Sequence, residues 1–392
     1  MNIPNEGVKP KIISPDDGAF YFFGYYDLMP YDTKDRRHLL HRVTLDSKER
    51  LPGKNDVAQL GYVDTVTGET TYFAETTAWN FQQGAMLQWN PAAPDDEVIY
   101  NVRDGEEFRC VTQNLKTGKK KIAERAVANV SPDGKWGLGL NMPRVYDFRP
   151  GYGYGDVRDR FYDIANPEED GVWLINMETG EAKLLISYKR IWEEFPNAEY
   201  EGAKFVVNHI TFNPASNRFL FLNRNFWRPE DKMWATTLFT SDLEGNMYRL
   251  LNATTVSHYH WKNDREIVGF FRCGGEDGTY IITDQTQDYV KLDSPYFVRD
   301  THTLFSPDRR YLIGDGYPSR EDPTRKISIY DFKTNESAIL YSEHTDKSPI
   351  VDNRCDLHNI WSHSGKRISY DSTHRNRRDI CELDVSFLYD ED

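Results

Sequence analysis

Residues 302–313 read His-Thr-Leu-Phe-Ser-Pro-Asp-Arg-Arg-Tyr-Leu-Ile. A short apolar run enters a Ser-Pro-Asp turn and a second apolar run leaves it, as two antiparallel strands around a tight turn would. The half-repeat recurs along the chain. Earlier copies run from Tyr25 to Leu40, from Met86 to Tyr100, and through Asn129-Val-Ser-Pro-Asp-Gly-Lys-Trp. Later ones are Ile210-Thr-Phe-Asn-Pro to Phe221, Tyr259-His-Trp-Lys-Asn-Asp-Arg-Glu-Ile-Val, and Ile360-Trp-Ser-His-Ser-Gly-Lys-Arg-Ile-Ser.

Between the copies lies a hairpin with a Gly, Asn or Asp turn, such as Val63-Asp-Thr-Val-Thr-Gly-Glu-Thr and Ile175-Asn-Met-Glu-Thr-Gly-Glu. Its seventh copy is expected at Glu382-Leu-Asp-Val-Ser-Phe-Leu. Four short strands per repeat, seven times over, describe an all-β, seven-bladed β-propeller filling residues 1–392 as one domain. The regular alternation argues against paired sandwiches or a β-helix. One short helix is expected over Ser187 to Glu194. Residues 141–156, rich in Gly, Arg and Tyr, read as a long functional loop or an aromatic plug.

The formal net charge is −14. That sign argues against non-specific nucleic-acid binding, which needs Lys and Arg against phosphates. A local basic pocket can still hold an anionic ligand. No apolar stretch approaches a membrane span, and no signal peptide is visible, so a cytoplasmic protein is expected. Cys110, Cys273, Cys355 and Cys381 are too scattered for a disulfide framework. Oligomeric state is not legible.

His209, His258, His302 and His358 share one address, three residues before Phe212, Trp261, Phe305 and Trp361. One address in successive blades means one region near the axis. His258, His302 and His358 with Cys355 offer a tetrahedral metal shell, with His260 as a substitute; the bland alternative is a set of cross-blade hydrogen bonds. His209 keeps different company: Asn208, Arg224, and the loop with Arg144, Arg149, Tyr152 and Tyr154. A His, Tyr and Arg set suits β-elimination at a uronic acid. Arg faces the carboxylate, and His and Tyr exchange protons with C5 and the leaving oxygen. Asp27, Asp147 and Asp156 keep a hydrolase open. His41, Arg42, Gln83, Gln88 and Asn101, in the first two repeats, are candidates for sugar hydroxyls.

Asn208-His-Ile-Thr-Phe-Asn-Pro with Arg224, Arg149-Pro-Gly-Tyr-Gly-Tyr154, His302-Thr-Leu-Phe-Ser-Pro-Asp and Cys355-Asp-Leu-His358 together resemble the seven-bladed propeller polysaccharide lyases. The likeness is to the ulvan-lyase type and, more distantly, to oligogalacturonate lyases with TolB-like blades. The resemblance implies elimination at a uronate, with His209 and Tyr154 as base and acid and Arg224 with Arg144 on the carboxylate. It also implies a divalent metal held by histidines. Cys355 at the position of a family Gln favours zinc over manganese. Gln83 and Asn101 stand where some ulvan lyases carry histidines. The expected function is therefore a lyase acting on an anionic oligosaccharide. The alternatives are a non-catalytic glycan- or protein-binding propeller and a glycoside hydrolase on a uronate-linked sugar.

Overall fold

In the computed structural model, which describes residue 3 and residues 7–228, 235–250, 255–318, 322–344 and 348–389, the turns explain the repeat. Ser306 closes its hairpin by donating its main-chain N–H to Tyr311 O, and its hydroxyl both accepts from Tyr311 N at 2.9 Å and donates to Asp308 at 2.5 Å. Ser131 repeats this with Trp136 and Asp133 at 2.9 and 2.6 Å. Asn213 does the same work with its amide oxygen, accepting from Asn217 N and Arg218 N. A small polar side chain that caps the turn is thus what fixes Ser or Asn at this address.

The aromatic before each turn has a second role. The Trp261 indole donates to Thr211 O of the preceding repeat, and the Trp361 indole to Leu304 O. Each of these blades is therefore tied to its neighbour by the residue that also fills the gap between them.

The strands form seven antiparallel four-stranded sheets in a ring, a seven-bladed β-propeller. Blade 1 comprises Phe20–Phe22, Arg37–Val43, Ala58–Asp64 and Thr70–Thr76. Blade 4 comprises Lys204–Phe212, Arg218–Phe226, Ala235–Asp242 and Met247–Arg249. The inner strands of blades 2, 3, 5 and 6 are Gln88–Trp89, Val127–Val130, Val256–Trp261 and Thr301–Phe305. Burial follows radius: Thr301–Phe305 is buried throughout, whereas the outer strands Lys120–Ile122 and Tyr289–Lys291 are exposed.

Three expectations need correction. The seventh hairpin does not close blade 7 from within. Ile360–Trp361, Arg367–Ser372 and Asp379–Asp384 are completed by Pro10–Ile12, which pairs antiparallel with register Pro10↔Leu383. Residues Ser386–Tyr389 instead form a 3-10 turn. In the first repeat, the inner strand is Phe20–Phe22, and Tyr25 and Tyr26 follow it as a turn on the axis. Finally, the loop at 141–156 begins with a helix, Met142–Phe148. Asn141 caps it by accepting from Arg144 N, Pro143 sits in its first turn, and Met142, Val145 and Phe148 are buried. The expected helix after Ser187 is present as Tyr188–Glu194, capped by the Ser187 hydroxyl. Among the described residues, no helix is long and apolar enough to cross a membrane.

Candidate functional site on the propeller axis

The four histidines converge. Ring centroids of consecutive members lie 5.8 Å (His209–His258), 3.8 Å (His258–His302) and 4.7 Å (His302–His358) apart. Two phenols from blade 1 fill the arc they make. Tyr25 stacks on His209 at 5.1 Å and meets the edge of His358 at 4.7 Å; Tyr26 lies 5.0 Å from His302.

Aiming the imidazoles inward distorts the backbone. His209 and His358 both adopt φ of 47°, a left-handed conformation uncommon for any residue but glycine. A bulge between Asn208 and Ile210 accompanies the first, and the Tyr259 hydroxyl donates to the His209 carbonyl there. Strain of this kind persists only where surrounding contacts enforce it, and it clusters at functional sites.

Each ring is oriented by a partner on Nδ1 or Nε2. His358 Nδ1 donates to Gly24 O at 2.9 Å, so its lone pair lies on Nε2. His302 Nδ1 pairs with Asp315 Oδ1 at 2.8 Å, and His258 Nδ1 with Asp300 Oδ1 at 2.9 Å. Asp315 also accepts from the main-chain N–H of both His302 and His358, at 2.9 and 3.0 Å. The Nε2 atoms of His302 and His358 are buried without a partner. Burial, reinforced by neighbouring charge, pushes both rings well below the ordinary histidine range, so they are neutral and able to ligate.

The third group facing them is Asp356. One ligand atom from each of His302, Asp356 and His358 lies within 4.8 Å of the others, a set able to hold a metal ion. Burial opposes the charge of Asp356, but Arg354 and Arg325 outweigh it and hold the carboxyl well below its usual range. Arg325 Nη2 reaches it at 2.6 Å and Arg354 Nη2 at 2.8 Å. Two orphaned imidazole lone pairs and an ionised carboxylate fit a divalent ion.

Cys355 stands outside this set. Burial pushes its thiol up to about 12, and its Sγ lies 3.8 Å from the Asp356 carbonyl. Asp356, rather than Cys355, is the residue of this segment whose ligand atom gathers with those of His302 and His358. The donor set is thus two imidazoles and a carboxylate, with the His258 ring tilted against His302 beside it. His260 is elsewhere, in a pocket with Phe305, Arg309 and Trp361.

Beside His209 the geometry is mixed. Its Nε2 lies 3.2 Å from the Tyr25 hydroxyl, and its Nδ1 is buried without a partner. Burial, then Arg224, drives its pKa well below the ordinary value. Arg224 Nε donates to Asn208 Oδ1 at 2.6 Å and Nη1 to Thr236 at 3.0 Å. Burial, then Arg149, lowers the Arg224 guanidinium to about 9. Tyr152 stands edge-on to His209 at 5.0 Å and bonds Arg354 at 3.1 Å. A cavity of about 20 Å³, room for a water, is lined by Tyr25, Asp27, Gln83, Tyr152, Asn208 and His209.

Other expected residues lie apart. Tyr154 packs on Phe108, and its hydroxyl accepts from Asn101, so the phenol beside His209 is Tyr152. Arg144 is fully buried, paired with Asp159 at 2.9 Å and donating to the carbonyls of Phe205 and Ala165; it pins the loop. Asn101 bridges blades 2 and 3 through Val127 N and O. His41 stacks on Phe22 and accepts from Ala85 N, and burial lowers it to about 3. Gln88 donates to Met86 O, and Arg42 pairs with Asp17. All of these hold the scaffold. Sequence reasoning did not put Tyr25 against His209, and it missed Asp300, Asp315, Arg354 and Asp356. Of these, only Asp356 carries a local signal, its i, i+2 spacing to His358.

No family model and no curated protein sequence matches the chain. Solved structures do. An oligogalacturonate lyase in complex with manganese superposes with a TM-score of 0.69 at 14% identity, covering 98% of this chain and 95% of that one. The oligogalacturonate lyase of Vibrio parahaemolyticus gives 0.68 at 13%, covering 99% and 96%. The propeller domain of the trilobed protease of Pyrococcus furiosus gives 0.52 at 9%, covering 94% of each. At these identities the likeness is one of fold.

Proposed function

We propose that this chain is a lyase that cleaves a uronic-acid-containing oligosaccharide by β-elimination. The observation that carries the reading is a neutral imidazole at His209, its Nδ1 unpartnered, between two phenols and beside a guanidinium and a metal-competent cluster. The likeness to oligogalacturonate lyases supports it from the side of fold.

His302, His358 and Asp356 would hold a divalent ion, which when bound supplies positive charge for the uronate carboxylate. With the thiol of Cys355 absent from the donor set, the preference for zinc falls away and manganese suits the set equally. Arg224 faces the same carboxylate and stabilises the enolate-like transition state. With Nε2–H donating to Tyr25, the lone pair of His209 is on Nδ1, which takes the C5 proton. The C5–H electron pair forms the C4–C5 double bond as the C4–O bond breaks. The leaving oxygen takes a proton from the Tyr152 phenol. Arg354 donates to the Tyr152 hydroxyl at 3.1 Å, leaving the phenol proton free for the leaving oxygen.

The test is ultraviolet absorbance on uronic oligosaccharides, since elimination creates an absorbing unsaturated uronate. A rise in reducing ends without that absorbance would turn the reading to hydrolysis. His209→Ala is expected to lower kcat by at least about 100-fold, the scale of a lost general base. Elemental analysis with a thermal scan in chelator checks the metal: removal is expected to lower Tm.

A further inference from the structure

A groove of about 690 Å³ opens between blades 2 and 3, outside the axial cluster. Leu140 and Met142 line both it and the small cavity beside His209, so one layer of side chains separates the two. Its walls carry more carboxylates than guanidiniums, but most of the carboxylates are engaged within the protein, and Arg109 and Arg158 are ion-paired. Asp159 is paired with Arg144, Asp170 accepts from Asn141 and Trp173, and Glu107 is paired with Arg109.

Two guanidiniums are not so engaged. The Arg125 guanidinium carbon lies over the Trp173 ring, 3.4 Å from its centroid, and that of Arg160 lies over Phe161 at 4.5 Å. Neither has a hydrogen-bonded or ion-paired side-chain partner among the described residues. Stacking fixes the plane of a guanidinium and leaves its N–H edge for an acceptor, and that fork matches a carboxylate.

We propose that this groove is a second binding site, for a hexuronate unit, with Arg125 and Arg160 on its carboxylate and Trp173 as the rigid backing. The choice of sugar rests on the lyase reading; the site itself does not.

The test uses sodium galacturonate, a monosaccharide with no linkage to eliminate, with galactose and sodium acetate as controls. The indole N–H resonance of Trp173, assigned with Trp173→Phe, is followed in the full chain. It is expected to shift with galacturonate and with neither control. Arg160→Gln, at an exposed position that leaves folding alone, and Arg125→Gln are each expected to weaken the apparent affinity at least fivefold. A stationary Trp173 signal, an equal shift with acetate or galactose, or unchanged affinity in both variants overturns the proposal. A chain inactive in the absorbance assay whose Trp173 signal still moves ends the lyase reading and keeps the groove. An active chain with a stationary Trp173 signal does the reverse.

Discussion

Replacing Asp315 by Asn tests whether the imidazoles are aimed by their anchors. Oδ1 accepts from both the main chain and Nδ1 of His302, and Oδ2 accepts from His358 N at 3.0 Å. In Asp315→Asn the amide oxygen can keep the first two bonds. The amide nitrogen then faces the His358 N–H, donor against donor, in a fully buried place. One lost bond and one stranded donor cost about 2–4 kcal/mol. Loss of an anchoring carboxylate behind a ligating imidazole also weakens metal affinity by about 10–100-fold. Urea unfolding measures the first quantity and calorimetric titration with manganese the second. A variant as stable as the parent, with the same manganese affinity, refutes the account of Asp315 as the strut of the His302 ring and of the His358 backbone.

Three further outcomes are expected. Burial raises the Asp27 carboxyl to about 6, with the Thr211 hydroxyl partly opposing it. A carboxyl titrating higher in the folded than in the unfolded chain binds more protons when folded, so stability falls as pH rises from about 4 to 6. Asp27→Asn should remove that loss, worth up to about 3 kcal/mol at pH 8 and little at pH 4, read by urea midpoints at both. Gly153→Ala places a Cβ 2.5 Å from Met142 O and against Tyr146 N, so the loop carrying Tyr152 must shift. A loss of about 1–3 kcal/mol or more is expected, with activity falling further than stability explains. Deleting residues 1–13 removes the strand paired to Asp379–Asp384 and exposes its edge, which should lower Tm and promote self-association seen by light scattering.

The architecture was legible because its signals are local. A small polar residue that caps the hairpin turn recurs once per blade, at Asp32, Asn90, Ser131, Asn213, Asn263, Ser306 and Ser362, so counting these turns counts blades. Closure was not legible. Pro10–Ile12 carries no cue that its partner lies at Cys381 to Leu383, because that pairing is a property of the ring. The helix at Met142–Phe148 did have a cue: Asn141, Pro143 and apolar residues spaced three apart. At the axis, the shared address of the four histidines reveals their convergence. It does not reveal what stands behind each ring. Asp300, Asp315 and the carbonyl of Gly24 come from turns and neighbouring strands whose approach only the tertiary structure sets. The choice between Cys355 and Asp356 turned on which side chain gathers with His302 and His358, and with left-handed backbone at His358 strand alternation is no guide to it.

Ring closure has a consequence for how the axial cluster comes into being during synthesis. His358 belongs to the last blade, yet its ring is oriented by Gly24 in the first, and the last blade is finished by a strand made before either. The full cluster therefore forms only when the last blade meets the first. The earliest and latest segments must meet across nearly the whole chain, a contact of the slowest kind. If His302, Asp356 and His358 take up an ion, its uptake by a refolding chain is expected to lag behind secondary structure and to coincide with closure of the ring.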